Sequence, residues 1–161
     1  MTKIILGLDP GIADTGYGII KEDGGKLSCL GYGTIKTGAK ESLPARLEIL
    51  HKELDKIIKK FKPQSAAIEQ LFFNKNVRTA LIVGQARGVS LLTLTQNKLP
   101  IFEFTPSQVK QAATAYGQAS KTQVQKMVKL ILHLDKLPRP DDAADALAVA
   151  ICALNSKLCL R

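Results

Sequence analysis

The stretch "RPDDAADALAVAIC", residues 139–152, places three aspartates within five positions and is almost wholly apolar afterwards. Asp141 or Asp142 suits an ordinary helix cap, because a carboxylate there accepts the free N–H groups of the first turn. Asp145 is different, since it lies inside the alanine-rich part of the expected helix, where an unpaired buried carboxylate is costly. It shares a helix face with Asp142 at i,i+3 spacing or with Asp141 at i,i+4 spacing. The spacing leaves that choice open, and the cost of an unpaired buried carboxylate predicts a partner beside Asp145.

Two further carboxylates end apolar segments earlier in the chain. Asp9 follows "KIILGL" and precedes Pro10 and Gly11, and Glu69 follows "SAAI". Carboxylates that converge repel one another unless protons or cations compensate. Oxygen ligands with no histidine or cysteine nearby favour Mg²⁺ or Mn²⁺ over zinc. Two such ions about 3.5–4 Å apart can activate a water and stabilise the leaving oxygen of a phosphodiester. If these carboxylates meet, the sequence predicts metal-assisted phosphodiester hydrolysis.

The charge of the chain indicates a polyanionic partner. It carries 23 Lys+Arg against 14 Asp+Glu, a net charge of +9, which suits nucleic acid first.

The 161 residues, 45% of them hydrophobic, predict a single domain over residues 1–161. No segment suits a membrane span, and the N-terminus lacks the features of a signal peptide. Cys29, Cys152 and Cys159 lack metal-like spacing, so we expect free thiols in the reducing cytoplasm.

A sheet and a terminal helix must bring the acidic residues together, and the sequence predicts both. Strands are expected from apolar and β-branched runs at 3–9, in a hairpin over 16–38, at 65–70 and at 101–104. Helices are expected from apolar periodicity at 44–61, 76–97, 107–117 and 120–134, with a last helix from Asp141 or Asp142.

This order of elements predicts an α/β fold with three layers, a mixed five-stranded sheet with helices on both faces. The preference for right-handed crossovers makes the two later strands parallel to the first. Their carboxyl ends then share one edge of the sheet, where Asp9 and Glu69 become neighbours. In open α/β sheets, that edge is where binding sites form.

Five motifs cover essentially the entire chain in order: "GLDPGIADTGYGII" (7–20), "AIEQLFFNKN" (67–76), "GQARGV" (84–89), "VKQAATAYGQASKTQVQKMV" (109–128) and "DAADALAVAIC" (142–152). Together they resemble the RuvC family of bacterial Holliday junction resolvases. The resemblance implies an RNase H-like fold and a homodimer that uses divalent metal to nick two symmetric strands of a four-way DNA junction. It also implies the branch-migration proteins RuvA and RuvB as partners.

The same resemblance implies the roles of the acidic residues. Asp9 and Glu69 become strand-borne metal ligands and catalytic residues. The motif "DAAD" aligns Asp142 and Asp145 with the last acidic pair of the family, which leaves Asp141 as the helix cap. We expect two Mg²⁺ ions per site, with Mn²⁺ as a substitute, and hydrolysis that leaves a 5′-phosphate and a 3′-hydroxyl.

Four more residues acquire DNA-binding roles from the resemblance. Phe72 and Phe73 match the aromatic wedge that stacks near the junction centre, an interaction of about 1–3 kcal/mol per base. Lys110 and Lys121 match basic positions that handle the DNA backbone and the scissile phosphate, and such lysines supply salt-dependent affinity. The helix expected at 76–97 is apolar on more than one side, which suits burial against both its own core and a second subunit.

Three other functions compete with this interpretation. "LDPGIADTGYG" is also similar to the phosphate-binding turn of the actin and sugar-kinase superfamily, but one domain without a second such motif argues against ATP phosphotransfer. Another RNase H-like nuclease, cutting RNA in hybrids or processing ribosomal RNA, would share the carboxylates and differ in the aromatic residues, the two lysines and the dimer helix. A non-catalytic nucleic-acid-binding module would need no acidic cluster, and Asp145→Asn would leave its binding intact.

Overall fold

The computed structural model describes residues 2–71 and 76–156, and in that part of the chain the elements follow the expected order. They are β1 (Thr2–Asp9), β2 (Asp14–Asp23), β3 (Lys26–Lys36), α1 (Leu43–Phe61), β4 (Ser65–Glu69), α2 (Val77–Gln96), β5 (Ile101–Phe104), α3 (Pro106–Thr114), α4 (Lys121–Ile131) and α5 (Asp141–Asn155).

The strands form one mixed sheet in the order β3-β2-β1-β4-β5. β1, β2 and β3 pair antiparallel as consecutive neighbours, whereas β4 is parallel to β1 and β5 is parallel to β4. Leu8 of β1 pairs with Ile68 of β4. The next residues, Asp9 and Glu69, therefore end adjacent parallel strands at the same edge of the sheet. The mixed five-stranded sheet predicted from the sequence is confirmed.

Alternating strand residues divide the core into two parts, one on each face of the sheet. Ile5 and Ala67 face α3, α4 and α5, and Leu6 and Ile68 face α1 and α2. This arrangement confirms the predicted three layers. None of the helices in the described ranges combines the length and apolar character that a membrane crossing requires.

Local signals explain how the short helices around the sheet edge begin and end. Thr105 and Ser120 begin α3 and α4 with capping boxes. Each hydroxyl accepts a hydrogen bond from the backbone N–H of a glutamine three residues later, and that glutamine's side-chain oxygen accepts one from the backbone N–H of the capping residue. α3 ends at Thr114, three residues before the expected end at 117, because Ala115 adopts a left-handed conformation with φ 61°. The short connection to α4 places the first turn of α4 close to the first turn of α5.

α5 packs against the sheet with almost no intervening side chain. A Cβ atom at Gly7 would lie 2.0 Å from the carbonyl oxygen of Ala146, and one at Gly16 would lie 1.9 Å from that of Asp142. Glycines on β1 and β2 thus allow direct approach of the α5 backbone. This contact holds the first turns of α5 beside the end of β1. Ten residues of α5 are buried: Ala143, Ala144, Ala146, Leu147, Ala148, Val149, Ala150, Ile151, Cys152 and Ala153.

Candidate metal centre

The end of β1 and the first turns of α5 bring three carboxylates together. One oxygen from each of Asp9, Asp142 and Asp145 lies within 4.8 Å of the others. Asp9 points toward α5 because it follows Ile5 and Gly7 at alternate positions of β1, on the face that α5 covers. Asp142 and Asp145 share one face of α5. Of the two pairings that the spacing allowed, the structure thus places Asp142, and not Asp141, in the group with Asp145.

Glu69 lies at the same edge, at the end of the neighbouring strand β4. Together with Asp145 it lines an open cavity of about 270 Å³. Lys110 of α3 and Lys121 of α4 line the same cavity. Two of the four expected acidic residues, Glu69 and Asp145, and both expected lysines therefore line one cavity. Asp145 also belongs to the group with Asp9 and Asp142, in which Glu69 takes no part. Phe72 and Phe73, the expected aromatic wedge, lie outside the described residues.

The acidic cluster consists of Asp9, Glu69, Asp142 and Asp145, and nearby basic side chains neutralise its negative charge only in part. Burial raises the pKa of Asp9 to about 8, and the charges of Asp145 and Asp142 add to this effect. Burial likewise raises the pKa of Glu69 and of Asp142, in each case with repulsion from Asp145 as the next cause. The raised pKa values mean that each of these carboxyl groups keeps its proton to a higher pH than usual, and a cation beside them would lower those pKa values.

Lys121 is the charged partner of Asp145. Its Nζ lies 3.0 Å from Asp145 Oδ2 and 3.6 Å from Asp141 Oδ2. Burial lowers the pKa of the Lys121 ammonium, but its hydrogen bond and charge interaction with Asp145, helped by Asp141, outweigh that effect and raise the pKa. One ammonium facing several carboxylates leaves negative charge for a divalent cation to neutralise.

The ligand chemistry fits a hard divalent cation. The group that converges at the end of β1 consists of Asp9, Asp142 and Asp145, all oxygen ligands, and Mg²⁺ and Mn²⁺ prefer such ligands. Partial burial lowers the local dielectric, so a bound cation would relieve more repulsion here than at an exposed acidic patch. The residues that surround the centre therefore suit the expected metal.

Asp141 is not the helix cap that the sequence predicted. Pro140 occupies the N-cap position of α5, and no side chain caps this helix. Asp141 is instead the first helical residue, and its Oδ1 accepts a hydrogen bond from Gln125 Nε2 at 3.0 Å and pairs with Arg139. The prediction was wrong because side chains of α4 and of the preceding loop engage this carboxylate.

Asp14, at the start of β2, is an acidic neighbour of Asp142 that was not predicted from the sequence. After burial and Asp145, its charge is the next cause of the raised pKa of Asp142. Asp14 Oδ1 is buried without a hydrogen bond, and Lys36 Nζ lies 3.7 Å from it. Its position five residues after Asp9 was the available signal, since a tight turn between antiparallel strands returns the chain to the same edge.

Comparisons with known proteins agree with this geometry. A family model described as crossover junction endodeoxyribonuclease RuvC matches residues 5–153. The crossover junction endodeoxyribonuclease RuvC of Ruminiclostridium cellulolyticum is 55% identical over 153 residues, which cover 95% of this chain and 92% of the relative. The protein of the same name from Natranaerobius thermophilus is 57% identical over 149 residues, covering 92% of each chain.

A solved structure shows the same architecture. It is described as T. thermophilus RuvC in complex with Holliday junction substrate, and it matches with a TM-score of 0.90 at 34% identity. The match covers 94% of this chain and 93% of that one, and it confirms the RNase H-like fold. The chain belongs to the RuvC family of crossover junction endodeoxyribonucleases.

Proposed function

We propose that this protein resolves Holliday junctions by paired symmetric nicks, as a divalent-metal-dependent endonuclease of homologous recombination and DNA repair. The observation that carries the proposal is the approach of Asp9, Asp142 and Asp145 to within 4.8 Å in a chain of this family. The T. thermophilus relative bound to a Holliday junction supports a four-way junction as the substrate. Each subunit would act as one nuclease domain over residues 1–161.

Asp9, Glu69, Asp142 and Asp145 are proposed as ligands of two Mg²⁺ ions, with Mn²⁺ as a substitute. Ions bound there would supply an activated water and stabilise the charge on the leaving oxygen, giving a 5′-phosphate and a 3′-hydroxyl. Asp9 must lose its proton to act as a ligand, and burial raises the pKa of this carboxyl group to about 8. Metal affinity should therefore rise with pH up to that value.

The lysines of the cavity have complementary roles in this proposal. Lys121 lies closest to the acidic cluster, where its ammonium would contact the scissile phosphate. Lys110 lines the same cavity from α3 and would bind the backbone beside it. Lysines that neutralise phosphates make affinity salt-dependent. Phe72 and Phe73 follow Glu69 by three and four residues, and we assign them to stacking on unpaired bases.

An exposed apolar stripe along α2 supports a homodimer. Val77, Leu81 and Leu92 are 82%, 64% and 56% exposed. Their helical spacing places them on one side of α2 together with Gly88, where an added Cβ would meet nothing within 4 Å. A second copy packed there would present two equivalent sites to a two-fold symmetric junction. RuvA and RuvB in the cytoplasm complete the proposed set of partners.

The test compares three substrates with Mg²⁺: a mobile four-way DNA junction, a linear duplex of the same sequence and an RNA–DNA hybrid. Asp145→Asn is assayed beside the wild type. Asp23→Asn provides a matched control, because Asp23 pairs with Thr2 at the opposite end of β1 from Asp9. We expect paired nicks on the junction alone, and we expect Asp145→Asn to abolish cutting while it retains binding.

Other results would redirect or refute the proposal. Cutting of the hybrid would move the protein to the ribonucleases of the same fold. Tight binding without cutting of any substrate would leave a nucleic-acid-binding module. A Mg²⁺ titration followed by calorimetry separates metal binding from cleavage, and equal affinities for the wild type and Asp145→Asn would refute the assigned metal centre.

A further inference from the structure

Lys121 lies between two carboxylates that have different surroundings. Asp145, at 3.0 Å, belongs to the metal-centre group, whereas Asp141, at 3.6 Å, lies outside it. A divalent cation at Asp145 would compete with the ammonium for that carboxylate, since both are positive and need the same oxygens. Asp141 would then be the acidic contact that Lys121 keeps.

Asp141 is built to hold its orientation. Its Oδ1 accepts the hydrogen bond from Gln125 Nε2 at 3.0 Å and pairs with Arg139, and its Oδ2 faces Lys121. Gln125 is only 5% exposed, so it is a fixed donor on α4, one turn after Lys121. Two contacts on one oxygen therefore direct the other oxygen at the ammonium.

Helix stability does not explain the position of Lys121. It is the first residue of α4, and a cation at a helix N-terminus interacts unfavourably with the helix dipole. Its ion pairs are half exposed, with side-chain exposures of 53% for Lys121 and 45% for Asp141, and such pairs contribute little to stability. The effect of the arrangement is to place the positive charge of Lys121 on the lining of the cavity.

We propose that Asp141, held by Gln125 and Arg139, is a positioning residue that fixes the Lys121 ammonium beside the acidic cluster, where it meets the scissile phosphate. The inference rests on the proposed nuclease function and deepens it. Asp141 lies outside the group of Asp9, Asp142 and Asp145. It acts through Lys121 alone.

The test uses Asp141→Asn, which keeps the shape of the side chain and one acceptor oxygen but removes the charge. Asp23→Asn is the matched control, because Asp23 also pairs with a basic residue two positions earlier, Lys21, at a distance of 3.4 Å. We measure the single-turnover cleavage rate of a four-way junction at saturating protein, the Kd for that junction and the melting temperature. The Lys121 ammonium signal, followed by NMR and assigned by its loss in Lys121→Gln, reports the contact without any cleavage.

A positioning role predicts a split between rate and binding. The cleavage rate should fall roughly tenfold, as expected when a catalytic contact is misplaced. Junction binding should be unchanged or tighter, since a negative charge near the DNA is lost, and the melting temperature should stay near that of the wild type. The NMR signal of Lys121 should move in Asp141→Asn and not in Asp23→Asn. In the Lys121→Gln background, Asp141→Asn should cause no further loss of rate.

Two results would overturn the inference alone. One is a wild-type rate in Asp141→Asn, and the other is an equal loss of rate in the presence and absence of Lys121. A wild-type protein that binds the junction and leaves it uncut would instead overturn the proposed function, and this inference with it.

Discussion

Asp9→Asn should stabilise the metal-free protein while it removes the metal response. In the folded chain the pKa of Asp9 rises from 3.8 to about 8, first through burial and then through the charges of Asp145 and Asp142. Between these two values the folded state binds more protons than the unfolded state. Stability must therefore fall as the pH rises through this window.

The size of the effect follows from the same shift. One pKa unit corresponds to about 1.4 kcal/mol, so the penalty is near zero at about pH 4 and reaches at most about 4 kcal/mol at pH 7. Asparagine has almost the same shape and does not ionise, so the penalty disappears. We expect Asp9→Asn to gain about 2–4 kcal/mol in the free energy of unfolding at pH 7 and almost nothing at about pH 4.

The assay is urea unfolding of the wild type, Asp9→Asn and Asp23→Asn over this pH range in the presence of a chelator, followed by a Mg²⁺ titration. Saturating metal at 100 times its Kd should stabilise the wild type by about 2.7 kcal/mol and should leave Asp9→Asn unaffected. A stability difference that stays constant with pH would refute the reasoning about Asp9. Equal stabilisation of both proteins by Mg²⁺ would refute its role as a metal ligand.

Three further predictions address the helix contact, the dimer and the DNA surface. Gly16→Ala should cost about 1–3 kcal/mol and weaken Mg²⁺ binding in calorimetry, because its methyl group would displace the first turn of α5. Gly38→Ala, where an added Cβ would lie 3.5 Å from Glu41 Cγ, an ordinary contact, should bind the metal normally. Leu81→Glu should give a folded monomer in sedimentation analysis and unpaired nicks, whereas the exposed Thr79→Glu on another side of α2 should stay dimeric; a dimeric Leu81→Glu would contradict the assigned interface. Lys110→Ala should weaken junction binding and reduce the salt dependence of the Kd by roughly one counterion, while Lys56→Ala on α1, across the sheet, should change neither quantity.

The positions of Asp9 and Glu69 could be predicted because they depend on local patterns and a general rule of chain topology. Each acid ends an apolar run, and right-handed crossovers make those runs parallel neighbours. The register, in which Leu8 pairs with Ile68, brings the two acids to one edge as expected. Asp145 could be predicted as a candidate site residue on local grounds too, since a carboxylate inside an apolar helix requires a partner.

The contacts of Asp141 with Gln125, Arg139 and Lys121 could not be predicted, because they depend on the tertiary structure. An aspartate at the start of a helix suits a cap on local grounds. Whether its oxygens accept backbone N–H groups or side chains depends on the distance between α4 and α5, which no sequence period reports. Gly16 is a similar case. Its importance arises from the backbone of another helix 1.9 Å from where its Cβ would lie.

The contact between α5 and the sheet also determines how the metal centre can move. Asp142 and Asp145 are carried by a helix with ten buried residues, so separating them from Asp9 means breaking the centre of the core. The amide protons in the buried part of α5, from Ala146 to Ala153, should then exchange with solvent only through global unfolding, among the slowest in the molecule. We therefore expect Asp9, Asp142 and Asp145 to keep their relative positions, so that adjustment to a bound phosphodiester would come from the substrate.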